Sequence, residues 1–166
     1  LKNAGEPFLL IAEEEGTDNF GNNNNASGML AAIRRADEAI GVCRQFVANH
    51  PQTLLLTAAD SDAGGARLKG IRINGPQDIP DRLPAQLNNG TPIDGVDGSG
   101  TAPFIAKPDR FGQRLPFCVV WASKADLSGG ILVRADGLNH QHVRGNMDNT
   151  EITRLMRLTL FGTTRP

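Results

Sequence analysis

Two hydrophobic runs in the first third of the chain predict a strand, helix, strand unit. Residues 7–12 form a continuous apolar run, which is the pattern of a strand covered on both faces, as in a parallel sheet. From Met29 onward, apolar residues recur at steps of three and four, which predicts an amphipathic helix that runs to about Asn49 and stops at Pro51. Residues 53–59 form the second run. Because a helical crossover returns the chain in the same direction, we expect the two strands to be parallel.

Hydrophobic patterning weakens after the second run and returns near residue 117. Glycine, proline, aspartate and asparagine dominate residues 61–114, so we expect a long irregular insertion there. Loops of that length usually carry function or belong to an interface. Residues 117–121 and 130–135 are apolar runs of strand length. The pattern therefore predicts one α/β domain over residues 1–166, with a mainly parallel sheet flanked by helices.

A final amphipathic helix is predicted near the end of the chain. Asp148 and Glu151 have capping-box spacing, in which each side chain bonds the backbone N–H of the other residue. The helix is expected to end at Gly162, because glycine readily adopts the left-handed conformation that terminates helices. Its apolar face requires a surface to pack against. That face consists of Ile152, Leu155 and Met156.

The charge balance limits the expected classes of partner, and the cysteine positions bear on whether a disulfide is present. The 166 residues include 17 Lys and Arg against 18 Asp and Glu, for a formal net charge of −1. Nucleic acids and anionic membranes are bound by basic patches, so the overall balance leads us to expect neither partner. No apolar run approaches the roughly 20 residues that span a bilayer. Cys43 and Cys118 lie in separate apolar segments, which favours buried thiols over a disulfide.

Acidic residues follow both predicted strands of the first unit. Ligands of open α/β sheets bind beyond the carboxyl ends of the strands, where carboxylates from two strands can converge on a hard cation. Acidic residues at strand ends also solvate turns or cap the next helix, and spacing alone favours that ordinary role. The two interpretations stay open at this point. The residues are Glu13, Glu14, Glu15 and Asp18 after the first run, and Asp60 and Asp62 after the second.

Histidines and asparagines add weaker candidates. His140 and His142 are two residues apart in a predicted loop and could bind a metal, although a surface pair is the more ordinary interpretation. His50 suits a helix end, where a cation complements the helix dipole. Four consecutive asparagines end at Asn25, a candidate N-cap of the long helix. The alternative role of these asparagines is amide contact to a ligand near Asp18.

Four segments share the order and spacing of the motifs of one enzyme family. Residues 13–22 are similar to its Val-Glu-Gly-x-x-Ile-Asp-x-x-x-His motif, and residues 36–40 to a helix that carries Asp-x-Ala-Ile. Residues 53–60 resemble its Thr-Leu-Val-Ile-Val-Thr-Ala-Asp-His strand, and residues 145–152 the start of its last helix. The chain thus resembles the C-terminal half of the alkaline phosphatase family. The resemblance implies the corresponding half of that fold, metal-dependent phosphomonoesterase chemistry, and a periplasmic or extracellular location.

The resemblance also implies a set of metal ligands. Glu13 matches a magnesium-site glutamate, Asp18 a ligand of one zinc ion, and Asp60 a ligand of the other. Imidazole makes such a site selective for zinc, whereas oxygen and amide donors suit Mg²⁺, Ca²⁺ or Mn²⁺ better. We therefore expect one of those three ions rather than zinc, with Asn22 and Ser61 beside it. The positions of three zinc-ligand histidines are occupied by Asn22, Ser61 and Leu127.

Two functions follow from this comparison. The serine nucleophile of the family belongs to its first half, so no catalytic residue is predicted in this sequence. The chain is then either the C-terminal half of a divergent phosphomonoesterase, acting on phosphate esters, or a non-catalytic phosphatase-like structural or interaction protein. In both cases we expect the isolated chain to be inactive. We also expect the missing N-terminal half to leave the apolar face of the final helix, Ile152, Leu155 and Met156, without partners. The chain should therefore associate, either with that half or with copies of itself.

Overall fold

The computed structural model describes residues 7–164, and this part of the chain contains three α-helices, three short 3₁₀ helices and seven strands. The helices are α1 (Gly16–Asn22), α2 (Ala26–Asn49) and α3 (Asn149–Phe161). The strands are β1 (Leu54–Thr57), β2 (Arg67–Gly70), β3 (Ile93–Gly95), β4 (Gly98–Ser99), β5 (Phe104–Ile105), β6 (Pro116–Val120) and β7 (Arg134–Gly137). None of the helices described is long and apolar enough to cross a membrane.

The described residues fall into two compact units. The five-stranded unit consists of residues 14–35 and 61–130. The two-stranded unit consists of residues 7–13, 36–60 and 131–164. The single domain expected from the sequence stays a prediction, because two compact units can also form one domain.

The sheet of the five-stranded unit is built around β6. β2 pairs with one edge of β6, while β3 and β5 pair with different parts of its other edge, and β4 pairs with β3. All of these pairs are antiparallel. Strands of two to four residues are sufficient here because β6, the longer central strand, supplies hydrogen-bonding partners for β2, β3 and β5.

Each face of this sheet has its own small core, because successive side chains of β6 point to opposite sides. The core on one face joins β6 to the start of α2. It contains the buried residues Ala26, Val119 and Trp121. The core on the other face joins β6 to the segment between β2 and β3. It contains Leu83, Ile93 and Cys118.

A buried carboxylate connects the sheet to α2. Asp94 in β3 is only 1% exposed, and its Oδ2 accepts a 2.7 Å hydrogen bond from the backbone N–H of Ala26. The first amides of a helix lack intrahelical partners, so this bond satisfies one of them. Burial raises the pKa of Asp94, while the Ala26 N–H and the nearby Trp121 indole oppose that rise. Asp94 Oδ1 and Trp121 Nε1 are both buried without a hydrogen-bond partner in residues 7–164.

The predicted limits of the two long helices are confirmed. α2 ends at Asn49, ahead of Pro51, and its N-cap is Asn25, whose Oδ1 accepts a 2.9 Å hydrogen bond from the N–H of Gly28. α3 begins with the capping box formed by Asp148 and Glu151. It ends at Gly162, which has a φ of 69°.

The two-stranded unit pairs β1 with β7 in antiparallel register, from Leu54 opposite Gly137 to Thr57 opposite Arg134. Leu155 of α3 is buried, at 4% exposure, and Ile152 and Met156 are half-buried. The expectation that this helix face lacks partners is therefore wrong.

The prediction of a mainly parallel sheet flanked by helices is also wrong, because every strand pair in residues 7–164 is antiparallel. The error begins at residues 7–12, which form no strand and expose Leu10 by 65% and Ile11 by 80%. A strand requires a partner for its backbone N–H and C=O groups, and hydrophobicity alone does not specify one. Without the first strand, β1 has no parallel neighbour and pairs instead with β7.

Residues 61–114 contain more regular structure than the sequence predicts. They hold β2, β3, β4 and β5, which together form most of the five-stranded sheet. Each of these strands is four residues long or shorter, so none produces a recognisable alternation of apolar and polar positions.

Two glycines bring α1 against the turn Ala63–Gly65. Gly21 and Gly64 are both buried, and a Cβ on Gly64 would overlap the carbonyl group of Gly21. Gly64 also has a φ of 67°, a left-handed conformation that favours glycine. Its N–H donates to Ala125 O at 3.2 Å, and its carbonyl oxygen accepts from Ala122 N at 3.0 Å. Only a residue without a side chain can hold this position.

We predict that Gly64→Ala lowers the free energy of unfolding by about 3 kcal/mol or more, because it adds overpacking to left-handed strain. The matched control is Gly90→Ala, since Gly90 has a φ of 83° but open space around the added methyl group. That control should lose only about 1–2 kcal/mol. Urea denaturation followed by circular dichroism measures both, and equal losses would contradict the close approach of the two glycines.

Candidate functional site

A cluster of polar side chains lies where α1 meets the turn that follows β1 in the sequence. Asp18 and Asn22 are four residues apart on α1, so their side chains share one face of the helix. The side-chain amide of Asn22 donates to Asp18 Oδ1 at 3.1 Å and to Asp126 Oδ1 at 2.8 Å. Ser61 lies close enough to Asp126 to lower the pKa of its carboxyl. All four residues belong to the five-stranded unit.

A hydrogen bond to the side-chain oxygen of Asn22 fixes the orientation of its amide group. Its Oδ1 accepts a 3.1 Å hydrogen bond from the backbone N–H of Gly64. The NH₂ group must then point toward the carboxyls of Asp18 and Asp126. Asn22 is therefore a hydrogen-bond donor to these carboxyls, and its oxygen faces Gly64.

The pKa of Asp126 is lowered by its contacts within this cluster. The hydrogen bond from Asn22 is the largest cause that lowers the pKa of Asp126, partial burial opposes it, and hydrogen bonds with Asp18 and Ser61 lower it further. The cluster thus stabilises Asp126 as an anion.

The sequence-predicted site residues divide between the two units. Asp18, Asn22 and Ser61 lie together in the cluster, whereas Glu13 and Asp60 are exposed residues of the two-stranded unit. Within residues 7–164, no three Asp, Glu, His or Cys side chains form a group that could hold a metal ion. Binding of a divalent ion by Glu13, Asp18 and Asp60 stays a prediction.

Asp126 is the site residue that sequence reasoning missed. It is 104 positions from Asn22 in the sequence, and nothing in its local pattern distinguishes it from an ordinary loop acid. One signal was available: the adjacent Leu127 occupies the place of a zinc-ligand histidine in the alkaline phosphatase resemblance. The backbone oxygen of Leu127 accepts a 3.0 Å hydrogen bond from Asp62 N, which holds this loop next to Ser61.

Other candidates from the sequence have ordinary roles. Glu14 forms a 3.0 Å ion pair with Arg35 and accepts a hydrogen bond from Gly16 N, which together lower its pKa. His50 stacks on Phe46, with ring centroids 4.0 Å apart, and its Nδ1 lies 2.8 Å from the Phe46 carbonyl oxygen. His140 is exposed, with its Nδ1 2.6 Å from the carbonyl oxygen of Gly137. These contacts account for each side chain without a ligand.

None of the family models, curated proteins and solved structures compared with this chain matches it. The resemblance to the alkaline phosphatases therefore stays a prediction based on the motifs. The chemistry of the cluster has to be argued from its own geometry.

We predict that Asn22→Ala raises the pKa of Asp126, because it removes the largest cause of the lowered value. In the unmodified protein, the hydrogen bonds of Asp126 contribute stability above the ordinary carboxyl pKa, and this contribution is lost as the pH falls through the lowered pKa. In Asn22→Ala this contribution should be smaller, and its loss should be complete at a higher pH. Titration of the Asp126 carboxyl carbon by NMR measures the shift, with Asn23→Ala as the neighbouring control. An unchanged Asp126 titration in Asn22→Ala would contradict the described hydrogen bond.

Proposed function

We propose that this chain is a non-catalytic, phosphatase-like interaction protein. The observation that carries the proposal is the NH₂ group of Asn22 between Asp18 and Asp126, 3.1 and 2.8 Å from their carboxyl oxygens. In the alkaline phosphatase resemblance, Asp18 and Asn22 stand at positions of zinc ligands. A hydrogen-bond donor at this point uses the carboxyl lone pairs that a metal ion would need.

The remaining groups of the cluster are poorly suited to catalysis. Asp126 is a carboxylate close to Ser61, and its lowered pKa makes it a weak acceptor of the serine proton. An activated serine usually requires a better base or a bound metal. The cluster is instead suited to joining α1 to two loops, since Asn22 bonds to Asp18, Gly64 and Asp126.

A metal-dependent phosphomonoesterase is the second candidate. The convergence of Asp18, Ser61 and Asp126 favours it, because carboxylate and hydroxyl oxygens are ligands of Mg²⁺, Ca²⁺ and Mn²⁺. Ion binding would require the Asn22 amide to turn away and to break its bond with Gly64. The affinity of the unmodified chain for such ions is therefore the property that separates the two candidates.

We predict that Asn22→Asp increases the affinity for Mn²⁺ or Ca²⁺ at least tenfold, because it replaces the bridging donor with a third carboxylate. The matched control, Asn23→Asp, adds the same charge at the exposed neighbouring position and should leave the affinity unchanged. Isothermal titration calorimetry measures both. The unmodified chain should bind zinc weakly and should not hydrolyse p-nitrophenyl phosphate with Mg²⁺, Mn²⁺, Ca²⁺ or Zn²⁺.

Two results would favour the phosphomonoesterase instead. One is stoichiometric binding of a divalent ion by the unmodified chain that Asp126→Asn abolishes. The other is metal-dependent hydrolysis that both Asp126→Asn and Ser61→Ala remove while the circular dichroism spectrum stays the same. Either result would overturn the non-catalytic proposal.

The exposed apolar segment at residues 8–11 is the surface through which we propose that the chain associates. Its exposed fractions run from 38% at Phe8 to 80% at Ile11. Contiguous apolar surface of this kind marks an interface. A short run of high β propensity is also able to pair with another strand.

We predict that the chain self-associates and that Ile11→Lys reduces this association. A charge in the segment opposes burial of the apolar surface against a second copy. Sedimentation velocity over a hundredfold concentration range measures the association, with Val42→Lys as control, since Val42 is an exposed apolar residue on α2 at 68% exposure. A monomer at all concentrations, or an equal effect of both substitutions, would disprove the assignment of this segment.

A further inference from the structure

One end of the five-stranded sheet carries an unusual combination of cations and exposed apolar side chains. The pairing register places Gly70 opposite Phe117 and Ile105 opposite Pro116, so β2, β5 and β6 have neighbouring ends. The backbone continues this arrangement, because Ile71 N donates to Pro116 O and Ala106 N donates to Leu115 O, both at 3.0 Å. Residues just beyond these ends therefore share one edge of the unit. We call this set the basic edge; it consists of Arg72, Ile105, Lys107, Arg110, Phe111, Arg114 and Leu115.

The cations of the basic edge form no ion pair with an acid in the part of the chain that the structure describes. No ion pair within residues 7–164 involves Arg72, Lys107 or Arg114. Arg110 instead lies over the ring of Phe111, 4.7 Å from its centroid. Asp109 directly precedes Arg110 in the sequence. Its Oδ1 accepts hydrogen bonds from Phe111 N and Gln113 N at 2.7 and 2.9 Å. These bonds use its carboxylate to shape the turn.

The apolar side chains of the basic edge are exposed to water, which is energetically unfavourable for apolar surface. Phe111 is 72% exposed, Leu115 49% and Ile105 40%. The Asp109 turn holds Phe111 at its tip, so its exposure results from a defined backbone conformation. A partner for this edge must offer negative charge and an apolar environment side by side.

We propose that the basic edge binds the surface of an anionic phospholipid membrane. Headgroups carry the negative charge and the acyl boundary receives apolar side chains, and no matching pocket is required. A nucleic acid would match the cations but would offer little to Ile105 and Leu115. The whole-chain charge of −1 predicts no binding to an anionic membrane. That sum over all residues conceals the local excess of cations at the basic edge. The proposal is independent of the polar cluster around Asn22.

The test is co-sedimentation of the full chain with vesicles. The chain should bind vesicles with 30% phosphatidylserine at 0.1 M salt, bind pure phosphatidylcholine vesicles far less, and dissociate as salt is raised. Lys107→Ala should weaken binding roughly fivefold, since each cation near an anionic surface contributes about that factor. Phe111→Ser should weaken it about tenfold through the loss of apolar burial. The matched controls are Lys124→Ala and Leu132→Ser, which change exposed residues outside the basic edge and should have no effect.

Three outcomes would overturn the proposal. The first is no binding to anionic vesicles under these conditions. The second is binding that the control substitutions weaken as much as Lys107→Ala and Phe111→Ser do. The third is binding of a labelled oligo(dT) strand, followed by fluorescence anisotropy, with an affinity equal to that for vesicles and unaffected by Phe111→Ser. Circular dichroism of every variant checks that the fold is retained.

Discussion

The close approach of Gly21 to Gly64 is the contact on which the five-stranded unit depends. It allows α1 to touch the turn Ala63–Gly65 with backbone against backbone. Gly64 then bonds through both of its peptide groups, to Asn22 and Ala125 on one side and to Ala122 on the other. The loop after β6 is held against α1 as a result. The position of Asp126 beside Asn22 is thus a consequence of two missing side chains.

Backbone and amide N–H groups, rather than arginine or lysine, stabilise the key carboxylates of this unit. Asp94 is held by the first amide of α2, and Asp126 by the amide of Asn22. Fixed N–H dipoles can support a carboxylate without a second charge that would also have to leave water. The cost remains visible at Asp94, since burial raises its pKa and one of its oxygens has no partner within residues 7–164. The cations, in contrast, are left at the surface.

The two long helices and their caps could be predicted from the sequence because the determining interactions are local, whereas α1 lies in a segment expected to form a turn. The spacing of apolar residues sets α2, and the capping box at Asp148 and Glu151 sets the start of α3. The direction of a strand depends on the distant strand with which it pairs. A continuous apolar run such as residues 7–12 does not specify that partner. The cluster is predicted in part. Motif order identifies Asp18, Asn22 and Ser61, whereas Asp126 joins them only because the fold brings the loop after β6 next to α1. Hydrogen-bond direction at Asn22 also required the structure, because the sequence cannot show which way an amide points.

The burial of Trp121 has a spectroscopic consequence. It is the only tryptophan of the chain, which has no tyrosine, and it is 2% exposed in the core of the five-stranded unit. Excitation at the red edge of protein absorption therefore reports on this unit and leaves the two-stranded unit silent. The carboxyl of Asp94 beside the indole makes the emission sensitive to the local electric field as well. Intrinsic fluorescence and a helix-weighted signal such as far-ultraviolet ellipticity consequently observe different parts of the molecule, and the agreement or disagreement of their unfolding curves measures how cooperatively the two units melt.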